Sequence, residues 1–298
     1  MTQTIPRISD AAALQSGLDD RRIHELLDLA RRAAQAGARP LRELFRQELR
    51  VTAKGGAGNL VTEADHAAED AVLALLAAET PEIGVLAEES GRRQAGGELE
   101  WCVDPLDGTT NFAHGFPFFG TSVGLTWRGM PLVGAFAMPA MEQVFWAAPG
   151  QGAWCNGEAM QVSRCSSVRE ALLATGFAYD RIDRLDNNYA EFARFTHRSH
   201  GVRRAGAAAA DLAYVAAGRL DGYWERGLSP WDLAAGVVLV EQAGGVVSGY
   251  DGCPLELESG RILACAPGLH AEMMAELAVS TPLAGASFGA PELDAAAP

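Results

Sequence analysis

Residues 101–119 read WCVDPLDGTTNFAHGFPFF, an apolar strand that runs into a turn of small and acidic residues. Asp104 and Asp107 come directly after the apolar start of this run. Pro105 fixes φ and removes a backbone donor, and Gly108 permits a tight turn. We therefore expect both aspartates to point the same way, three residues apart.

The two aspartates of this turn predict a cation site. Two ionised carboxylates at such a short separation repel each other strongly unless a cation lies between them. The carbonyl of Leu106 lies between Asp104 and Asp107 in the sequence and could be a further oxygen ligand. A ligand set made of oxygen alone suits Mg²⁺, Mn²⁺ or Ca²⁺ rather than zinc. Beyond the turn, Thr109 could begin a short helix whose free N–H groups would face an anion.

A surface turn is the alternative for the short motif D-x-x-D-G-T. Aspartate side chains commonly hydrogen-bond the backbone of such turns, and the motif alone fits a surface turn as well as it fits a metal site. The longer run of residues 101–119 favours the metal site, because surface turns rarely require so many specific small and aromatic residues together.

Glu88 and Glu89 end a strand predicted over 83–87. Neighbouring residues of a strand point to opposite faces, so at most one of the two glutamates can easily face a site. Adjacent glutamates are most often simply solvated, and this pair alone therefore favours no function.

Asp65 and Asp232 each lie at the start of a predicted helix. The pattern Thr62-x-x-Asp65 fits a capping box. Ser229-x-x-Asp232 fits one too, with Pro230 at the first helical position. A carboxylate in the first helical turn is favourable without any function. From the residues alone, capping is therefore the favoured interpretation of both aspartates.

The composition is that of a folded, acidic protein. The chain has 298 residues, of which 48% are hydrophobic and 21% charged, and its formal net charge at pH 7 is −14. An acidic surface repels nucleic acid and anionic membranes, and no basic cluster exceeds short pairs such as Arg92-Arg93 and Arg203-Arg204. The sequence has no G-x-x-x-x-G-K-[ST] loop of a nucleotide-binding kinase. We expect neither nucleic acid nor a membrane among the partners.

Cysteines and apolar runs bear on the compartment. The five cysteines include no C-x-x-C pair, and their number is odd. Residues 1–20 lack the apolar core of a signal peptide, and no apolar run reaches the roughly 20 residues of a membrane span. We expect a cytoplasmic protein with reduced thiols.

Apolar periodicity predicts helices and antiparallel strands in the first half of the chain and a mixed α/β second half. The predicted helices cover 20–47, 63–78, 187–198, 207–217, 230–243 and 269–279. The predicted strands cover 83–87, 101–103, 121–127, 132–138, 143–147, 171–175, 222–224, 245–248 and 262–266.

One domain with two loose tails is predicted. Residues 1–17 are polar and patternless, and residues 281–298 are rich in alanine, proline and glycine, so both are expected to be flexible. Residues 18–280 are expected to form a single domain between them. Within it we expect a metal-site lobe over about 18–160 and an α/β lobe over about 161–280 that completes the site.

Four segments resemble, in order and spacing, the motifs of the inositol monophosphatase family. They are NLVTEAD (59–65), VLAEESG (85–91), the run at 101–119 and GRLDGYWERGLSPWDLAAGVVLVEQAGG (218–245). The likeness runs from about residue 20 to residue 280, and the segment over 206–232 is most similar to bacterial inositol-1-monophosphatases.

The resemblance implies a fold of the α+β or α/β class, a layered α-β-α-β-α sandwich of the inositol monophosphatase and fructose-1,6-bisphosphatase type. It also implies a homodimer that hydrolyses the phosphate monoester of a small polyol and is sensitive to lithium. Two or three Mg²⁺ ions per active site are implied, with Mn²⁺ as a substitute.

The resemblance also implies roles for individual residues. The implied metal ligands are the side chains of Glu88, Asp104, Asp107 and Asp232 and the carbonyl of Leu106. The implied substrate contacts are Leu106, Asp107, Gly108, Thr109, Gly206, Ala207, Ala208, Glu225 and Asp232, with the Gly108 and Thr109 amides on phosphate and Glu225 on hydroxyl groups. The implied catalytic residues are Glu88 and Thr109 beside the nucleophilic water, Asp65 beside a third, weak metal, and Lys54 near the water.

One departure from the family pattern bears on the substrate. The family often has serine or threonine where this chain has Ala207, so a hydroxyl group is missing near the substrate. The stretch around Glu225 fits an inositol-type ester. A histidinol phosphatase or a sugar (bis)phosphatase of the same family is the alternative, and a regulatory binding protein on the same fold is a second alternative.

Overall fold

The computed structural model describes residues 6–47, 51–53, 60–93 and 96–281 of the chain. The helices of these residues are α1 (Ile8–Ser16), α2 (Asp20–Leu44), α3 (Glu63–Glu79), α4 (Thr109–Ala113), α5 (Tyr189–Arg198), α6 (Ala208–Ala216), α7 (Pro230–Gln242) and α8 (His270–Ala278). The strands are β1 (Val51–Ala53), β2 (Leu60–Thr62), β3 (Gly84–Ala87), β4 (Gly91–Arg93), β5 (Leu99–Asp107), β6 (Gly120–Trp127), β7 (Met130–Met138), β8 (Gln143–Ala148), β9 (Gly152–Cys155), β10 (Glu158–Ala159), β11 (Leu172–Thr175), β12 (Gly201–Arg203), β13 (Gly222–Arg226), β14 (Val246–Ser248) and β15 (Arg261–Cys265).

The described strands form two large sheets and one small hairpin. The first large sheet has the order β10-β9-β8-β7-β6-β5-β3-β4, and the second has the order β12-β11-β13-β15-β14. The first half of the chain was expected to be antiparallel, but β3 and β5 run parallel. The cause is the edge hairpin of β3 with β4, after which the chain returns on the other side of β3 and runs in the same direction.

Helices cover both large sheets in alternating layers. Helices α2 and α3 pack on one face of the first sheet, and α6 and α7 lie between the two sheets. Helices α5 and α8 cover the outer face of the second sheet. This arrangement confirms the predicted α-β-α-β-α sandwich. No helix in the described ranges combines the length and the apolar character needed to cross a membrane.

Strand alternation builds these layers. In β5, Trp101 and Val103 pack among the residues of the α2 layer, whereas Cys102 faces the α7 layer. In β13, Tyr223 faces the central helices and Trp224 faces the outer layer. The second sheet therefore has a defined inner face, on which side chains point toward the first sheet.

The N-terminus differs from the expected loose tail, because helix α1 lies within residues 1–17. Its N-cap residue provides no side-chain hydrogen bond, and the missing cap comes from α7 instead. Glu241 accepts the backbone N–H groups of Ile8 at 2.8 Å and Ser9 at 2.9 Å, and the Ser9 hydroxyl at 2.6 Å. A cap that is more than 200 residues away leaves no local pattern, so the sequence did not indicate this helix.

Loss of this distant cap is expected to destabilise the protein. Glu241→Gln brings an amide N–H₂ group toward backbone donors, so at least one buried N–H of α1 loses its acceptor. We expect the free energy of unfolding to fall by about 1–3 kcal/mol in a denaturant titration. Asp10→Asn is the matched control, since the partly exposed Asp10 side chain accepts a bond from Gln242 at 2.8 Å and lies 3.8 Å from the Arg7 guanidinium. Equal stability of both variants would contradict the proposed role of Glu241.

Candidate active site

A cavity of about 590 Å³ lies where the ends of β5 and β13 meet the starts of α4, α6 and α7. Predicted site residues from separate parts of the chain line it together. They are Glu88, Asp104, Leu106, Asp107, Gly108, Thr109, Gly206, Ala207, Ala208, Glu225 and Asp232. Both halves of the chain contribute, since the first six of these residues come from the first sheet and its connections and the other five from the second half of the chain.

A β-bulge orients the two aspartates of the central motif. Asp104 pairs with Ser122 and Asp107 pairs with Gly120, so a three-residue step on β5 faces a two-residue step on β6. Residues three apart in a regular strand point to opposite faces, and one extra residue restores the same side. The Asp104 side chain also accepts the backbone N–H of Leu106 at 2.9 Å, which fixes the bulge.

Gly108 makes the turn that follows the bulge. Its φ of 89° lies in the left-handed region, and an added Cβ atom would stand 2.9 Å from the Phe118 carbonyl oxygen. Thr109 then begins α4, as the sequence predicts. Gly108 and Thr109 both line the cavity, next to the two aspartates in the chain.

Asp107 joins the first sheet to helix α6. One of its carboxylate oxygens accepts the backbone N–H of Ala210 at 3.0 Å, and the Ala208 amide is a second donor to the carboxylate. Asn111 adds a second link, because its side-chain amide donates to the carbonyls of Phe118 at 2.7 Å and Ala205 at 2.8 Å. The central motif thus holds the segment that carries Gly206, Ala207 and Ala208 against the cavity.

Asp65 lies behind the cavity and combines a cap with a contact to the site. It is fully buried, and one oxygen accepts the N–H and the hydroxyl of Thr62, both at 2.7 Å. Its other oxygen is 3.1 Å from the Thr109 hydroxyl, which is also 3.0 Å from the Leu106 carbonyl. The capping interpretation therefore holds, and the same carboxylate fixes a predicted catalytic hydroxyl.

Asp232 has the same double position. Its carboxylate accepts the backbone N–H of Ser229 at 2.7 Å, as a capping box requires. It also lines the cavity, and its side chain is within hydrogen-bonding reach of Asp104. Capping and a place in the site are therefore not exclusive alternatives for this residue.

The neighbouring glutamates separate as strand geometry requires. Glu88 lines the cavity, and its N–H extends the pairing of β3 with β5 through a 3.1 Å bond to the Val103 carbonyl. Glu89 is outside the cavity lining, and its N–H donates to Glu69 at 3.0 Å.

Glu225 lies on the inner face of β13 and lines the same cavity as the aspartates. The Tyr223 hydroxyl, two residues earlier on the same face, donates a hydrogen bond to it. Gly176 leaves the space for this carboxylate, because a Cβ atom there would lie 2.1 Å from a Glu225 oxygen. Glu225 is thus held by contacts on two sides and has little freedom to move.

Burial raises the pKa of the carboxyl groups that line the cavity. The pKa of Asp104 is well above its ordinary value, first because of burial and then because of the charges of Glu88, Asp107 and Asp232. Burial likewise raises the pKa of Asp107 to about 7 and that of Asp232 to about 8. The pKa of Glu225 rises to about 7, although the Tyr223 hydrogen bond opposes the rise. Such a set of carboxylates is costly without positive charge nearby.

The chemical type of the oxygen donors around the cavity fits a hard divalent cation. Carboxylate and carbonyl oxygens are the ligands that Mg²⁺ prefers, and a cation would relieve the repulsion around Asp104. Among the residues that the structure describes, no three Asp, Glu, His or Cys side chains already converge as a complete ligand set. The carboxylates would therefore have to draw together around a bound ion.

Several residues of the cavity were missed by sequence reasoning. Arg181 and Arg204 bring positive charge to the lining, and Phe177 and Tyr179 bring aromatic rings. The Arg204 guanidinium lies 6.0 Å from the centre of the Phe177 ring. No motif marks these residues, since each reaches the cavity through a loop. Lys54, which was predicted to lie near the nucleophilic water, is outside the described residues.

The variant Asp232→Asn separates the capping role of Asp232 from its charge in the cavity. Asparagine keeps an oxygen that can accept the Ser229 N–H but removes the negative charge from the cavity. We expect Asp232→Asn to lower kcat/KM for a phosphate ester by about a hundredfold or more, with a melting temperature close to that of the parent protein. An active but less stable variant would mean that Asp232 serves only as a cap.

The chain matches the model of the family described as "Inositol monophosphatase family" over residues 22–282. A protein of Synechocystis sp. named inositol-1-monophosphatase is 48% identical over 255 residues, which are 85% of this chain and 89% of that protein. A protein of Pseudomonas aeruginosa named Nus factor SuhB is 42% identical over 245 residues, 80% of this chain and 90% of the other.

A solved structure of another protein resembles the fold of this chain over most of the length of both chains. The inositol monophosphatase from Anabaena (Nostoc) superposes with a TM-score of 0.80 at 44% identity. The match covers 88% of this chain and 98% of that one. The family-model match over residues 22–282 includes every residue that lines the cavity.

Proposed function

Because this chain belongs to the inositol monophosphatase family and is thus a phosphoric monoester hydrolase, we propose that it hydrolyses an inositol monophosphate with Mg²⁺ as cofactor. The products would be myo-inositol and inorganic phosphate. The observation that carries the proposal is the set of Glu88, Asp104, Asp107 and Asp232 around one cavity that also holds Glu225.

The metal ligands of this proposal are the side chains of Glu88, Asp104, Asp107 and Asp232 and the carbonyl of Leu106. Two or three Mg²⁺ ions bound there would neutralise the phosphate, lower the pKa of a water molecule and stabilise the leaving alkoxide. Mn²⁺ would serve as a substitute, because it accepts the same oxygen ligands.

The residues around Thr109 orient the nucleophile in this mechanism. The Thr109 hydroxyl can donate its proton to Asp65, at 3.1 Å, which leaves its oxygen free to accept a hydrogen bond from water. Glu88, which lines the same cavity, would accept the water proton through a hydrogen bond. Water held between these two groups would attack phosphorus directly, and the reaction would need no covalent intermediate.

The turn after the bulge receives the phosphate. The Gly108 and Thr109 amides would donate to the phosphoryl oxygens. Because the turn is fixed, these donors would need little rearrangement as negative charge develops on the phosphoryl oxygens in the transition state. Gly108 is held in place by the close approach of Phe118 and Ala207. Catalysis of phosphate ester hydrolysis consists largely of such positioning and charge neutralisation.

The part of the cavity around Glu225 would receive the alcohol portion of the substrate. Glu225 would accept hydrogen bonds from substrate hydroxyl groups, which favours a polyol over an apolar alcohol. Gly206, Ala207 and Ala208 would line the ring, and Ala207 offers no hydroxyl group of its own. The Synechocystis and Anabaena relatives carry the name of an inositol phosphatase, which supports the same substrate class.

Phosphate release from a panel of esters tests the proposed substrate. The panel contains inositol 1-phosphate, histidinol phosphate, fructose 1,6-bisphosphate and adenosine 3′,5′-bisphosphate, each with Mg²⁺. The highest kcat/KM is expected for inositol 1-phosphate. A clear preference for another ester would overturn the inositol assignment and leave the family mechanism in place.

A second role is favoured by one specific comparison. The relative from Pseudomonas aeruginosa bears the name Nus factor, so a member of this family can be named for something other than hydrolysis. If the folded, metal-loaded protein released phosphate from none of the four esters, the regulatory binding role would replace the inositol assignment.

A further inference from the structure

Residues 177–187 form a compact loop at the mouth of the cavity, here named the rim loop. The strand before it, β11, ends at Thr175, and helix α5 begins directly after Asn188. The Asn188 amide closes the loop, because it donates to the Thr175 hydroxyl at 2.8 Å and to the Gly176 carbonyl at 2.7 Å. Trp224 donates to the same amide group at 2.7 Å. The two ends of the loop are thus joined, as in an Ω-loop.

The rim loop supplies part of the cavity wall. Phe177, Ala178, Tyr179 and Arg181 all line the cavity. The loop contains no helix or strand, so its own backbone bonds do not fix its position. Something outside the loop must hold these side chains against the site.

Two arginines of the second sheet tie the loop to it: Arg261 of β15 donates to Asp186, and Arg226 of β13 reaches Asp180, next to Arg181. The Arg226 side chain is only 8% exposed, yet it carries a full positive charge. Its guanidinium donates to Asp180 at 2.8 Å and lies 3.8 Å from an oxygen of Asp186. Both aspartates belong to the rim loop, and a buried arginine without such partners would be strongly unfavourable.

The position of Arg226 in β13 makes this tie relevant to the site. Neighbouring strand residues point to opposite faces, so Glu225 faces the cavity while Arg226 faces the outer side of the sheet. The loop therefore wraps around the end of β13. Gly227 completes the contact, because a Cβ atom there would lie 2.6 Å from the Ala178 side chain.

We propose that Arg226 is a positioning residue that clamps the rim loop through Asp180 and Asp186 and so places Arg181 over the cavity to bind the anionic substrate. Asp180 precedes Arg181 directly, and the Arg181 guanidinium donates to the Ala178 carbonyl of the same loop at 3.2 Å. The clamp acts on substrate binding rather than on the attack on phosphorus. The identity of the anionic substrate rests on the proposed function, whereas the contacts of Arg226 with the rim loop do not depend on it.

Steady-state kinetics of Arg226→Gln tests the clamp. KM for the preferred ester should rise about tenfold while kcat stays within about twofold, because a loosened loop weakens binding and leaves the carboxylates untouched. Arg184→Gln is the matched control. Arg184 pairs with the same Asp180 at 2.6 Å but is 66% exposed and lies in the loop itself, so its loss should change neither constant.

Two loop-side variants cover the case in which Arg226→Gln fails to fold. Asp180→Asn should reproduce the increase in KM, because its 2.8 Å bond is the stronger arm of the clamp. Asp186→Asn should raise KM less, since the Asp186 oxygen is beyond hydrogen-bonding distance of Arg226 and asparagine can still accept the bond from Arg261. The reverse order of the two effects would overturn the proposed geometry.

Tryptic cleavage after Arg181 gives a readout that does not depend on activity. Cleavage should be about tenfold faster in Arg226→Gln than in the parent protein. Faster cleavage with an unchanged KM would mean that the tie is merely structural, and unchanged cleavage would remove the clamp altogether. Both results overturn the proposal.

Inorganic phosphate separates failure of the clamp from failure of the proposed function. If the parent protein hydrolyses no ester, calorimetric binding of phosphate in the presence of Mg²⁺ replaces KM. A Kd about tenfold weaker in Arg226→Gln, and likewise in Arg181→Gln, supports the clamp. Equal Kd values in the three proteins overturn it.

Discussion

Asp104→Asn is expected to reduce kcat by about a thousandfold at saturating Mg²⁺. Asp104 is the carboxylate on which the charges of Glu88, Asp107 and Asp232 all act, so it stands at the centre of the acidic cluster. In the proposed mechanism it would be one of the carboxylates that hold the cations, and its neutralisation would weaken their binding. Phosphate release measured over a range of Mg²⁺ concentrations checks this expectation.

Stability separates loss of chemistry from loss of fold in this variant. Asparagine is nearly isosteric and can keep the 2.9 Å bond from the Leu106 N–H. It also removes a buried charge from the metal-free protein, so the melting temperature without Mg²⁺ should not fall. Glu100→Gln is the matched control, because Glu100 lies on the same strand and pairs with Arg92 away from the cavity. Near-normal turnover of Asp104→Asn would contradict the assignment of Asp104 as a ligand of the catalytic cations.

Gly176→Ala is expected to lower kcat/KM for an inositol phosphate by about tenfold to a hundredfold. The new Cβ atom would lie 2.1 Å and 2.2 Å from the two oxygens of Glu225, far inside van der Waals contact. Glu225 is buried and bonded to Tyr223, so it can yield only by leaving its place in the cavity. Substrate hydroxyl groups would then lose their acceptor.

A substrate without hydroxyl groups provides the contrast for Gly176→Ala. Hydrolysis of p-nitrophenyl phosphate should change much less, since Glu225 plays no part in binding that alcohol. Gly97→Ala is the matched control, because the nearest atom to its added Cβ would be 3.6 Å away. Equal losses on both esters would place Glu225 outside substrate recognition.

The local geometry of the central motif could be predicted from the sequence, because its signals lie close together in the chain. The strand, the turn at Gly108 and the start of α4 are all encoded within residues 101–119. The common direction of Asp104 and Asp107 was expected from the turn, but its cause is the bulge opposite β6. That cause depends on pairing with another strand, which a single run of sequence does not contain.

The capping pattern had two valid interpretations at once. Asp65 and Asp232 both cap helices, as their spacing indicates. Each also reaches the site, Asp65 through the Thr109 hydroxyl and Asp232 through the cavity wall. A helix start favours a carboxylate for its own stability, so local spacing cannot reveal the second contact.

Features that depend on distant partners were missed. Helix α1 is capped by Glu241 from the far end of the chain, and its own sequence provides no cap. The rim loop has no periodic pattern, and its place follows from the pairing of Arg226 with Asp180. Arg204 was noted only as half of a short basic pair. Such contacts arise from the tertiary fold, and residue spacing gives no sign of them.

The most direct test of the carboxylate site is phosphate release from inositol 1-phosphate after complete removal of divalent cations by a chelator. The metal-free protein is expected to stay folded and to release no phosphate above background, and added Mg²⁺ is expected to restore turnover. Full turnover by the metal-free protein would contradict the assignment of Glu88, Asp104, Asp107 and Asp232 as ligands of the catalytic cations.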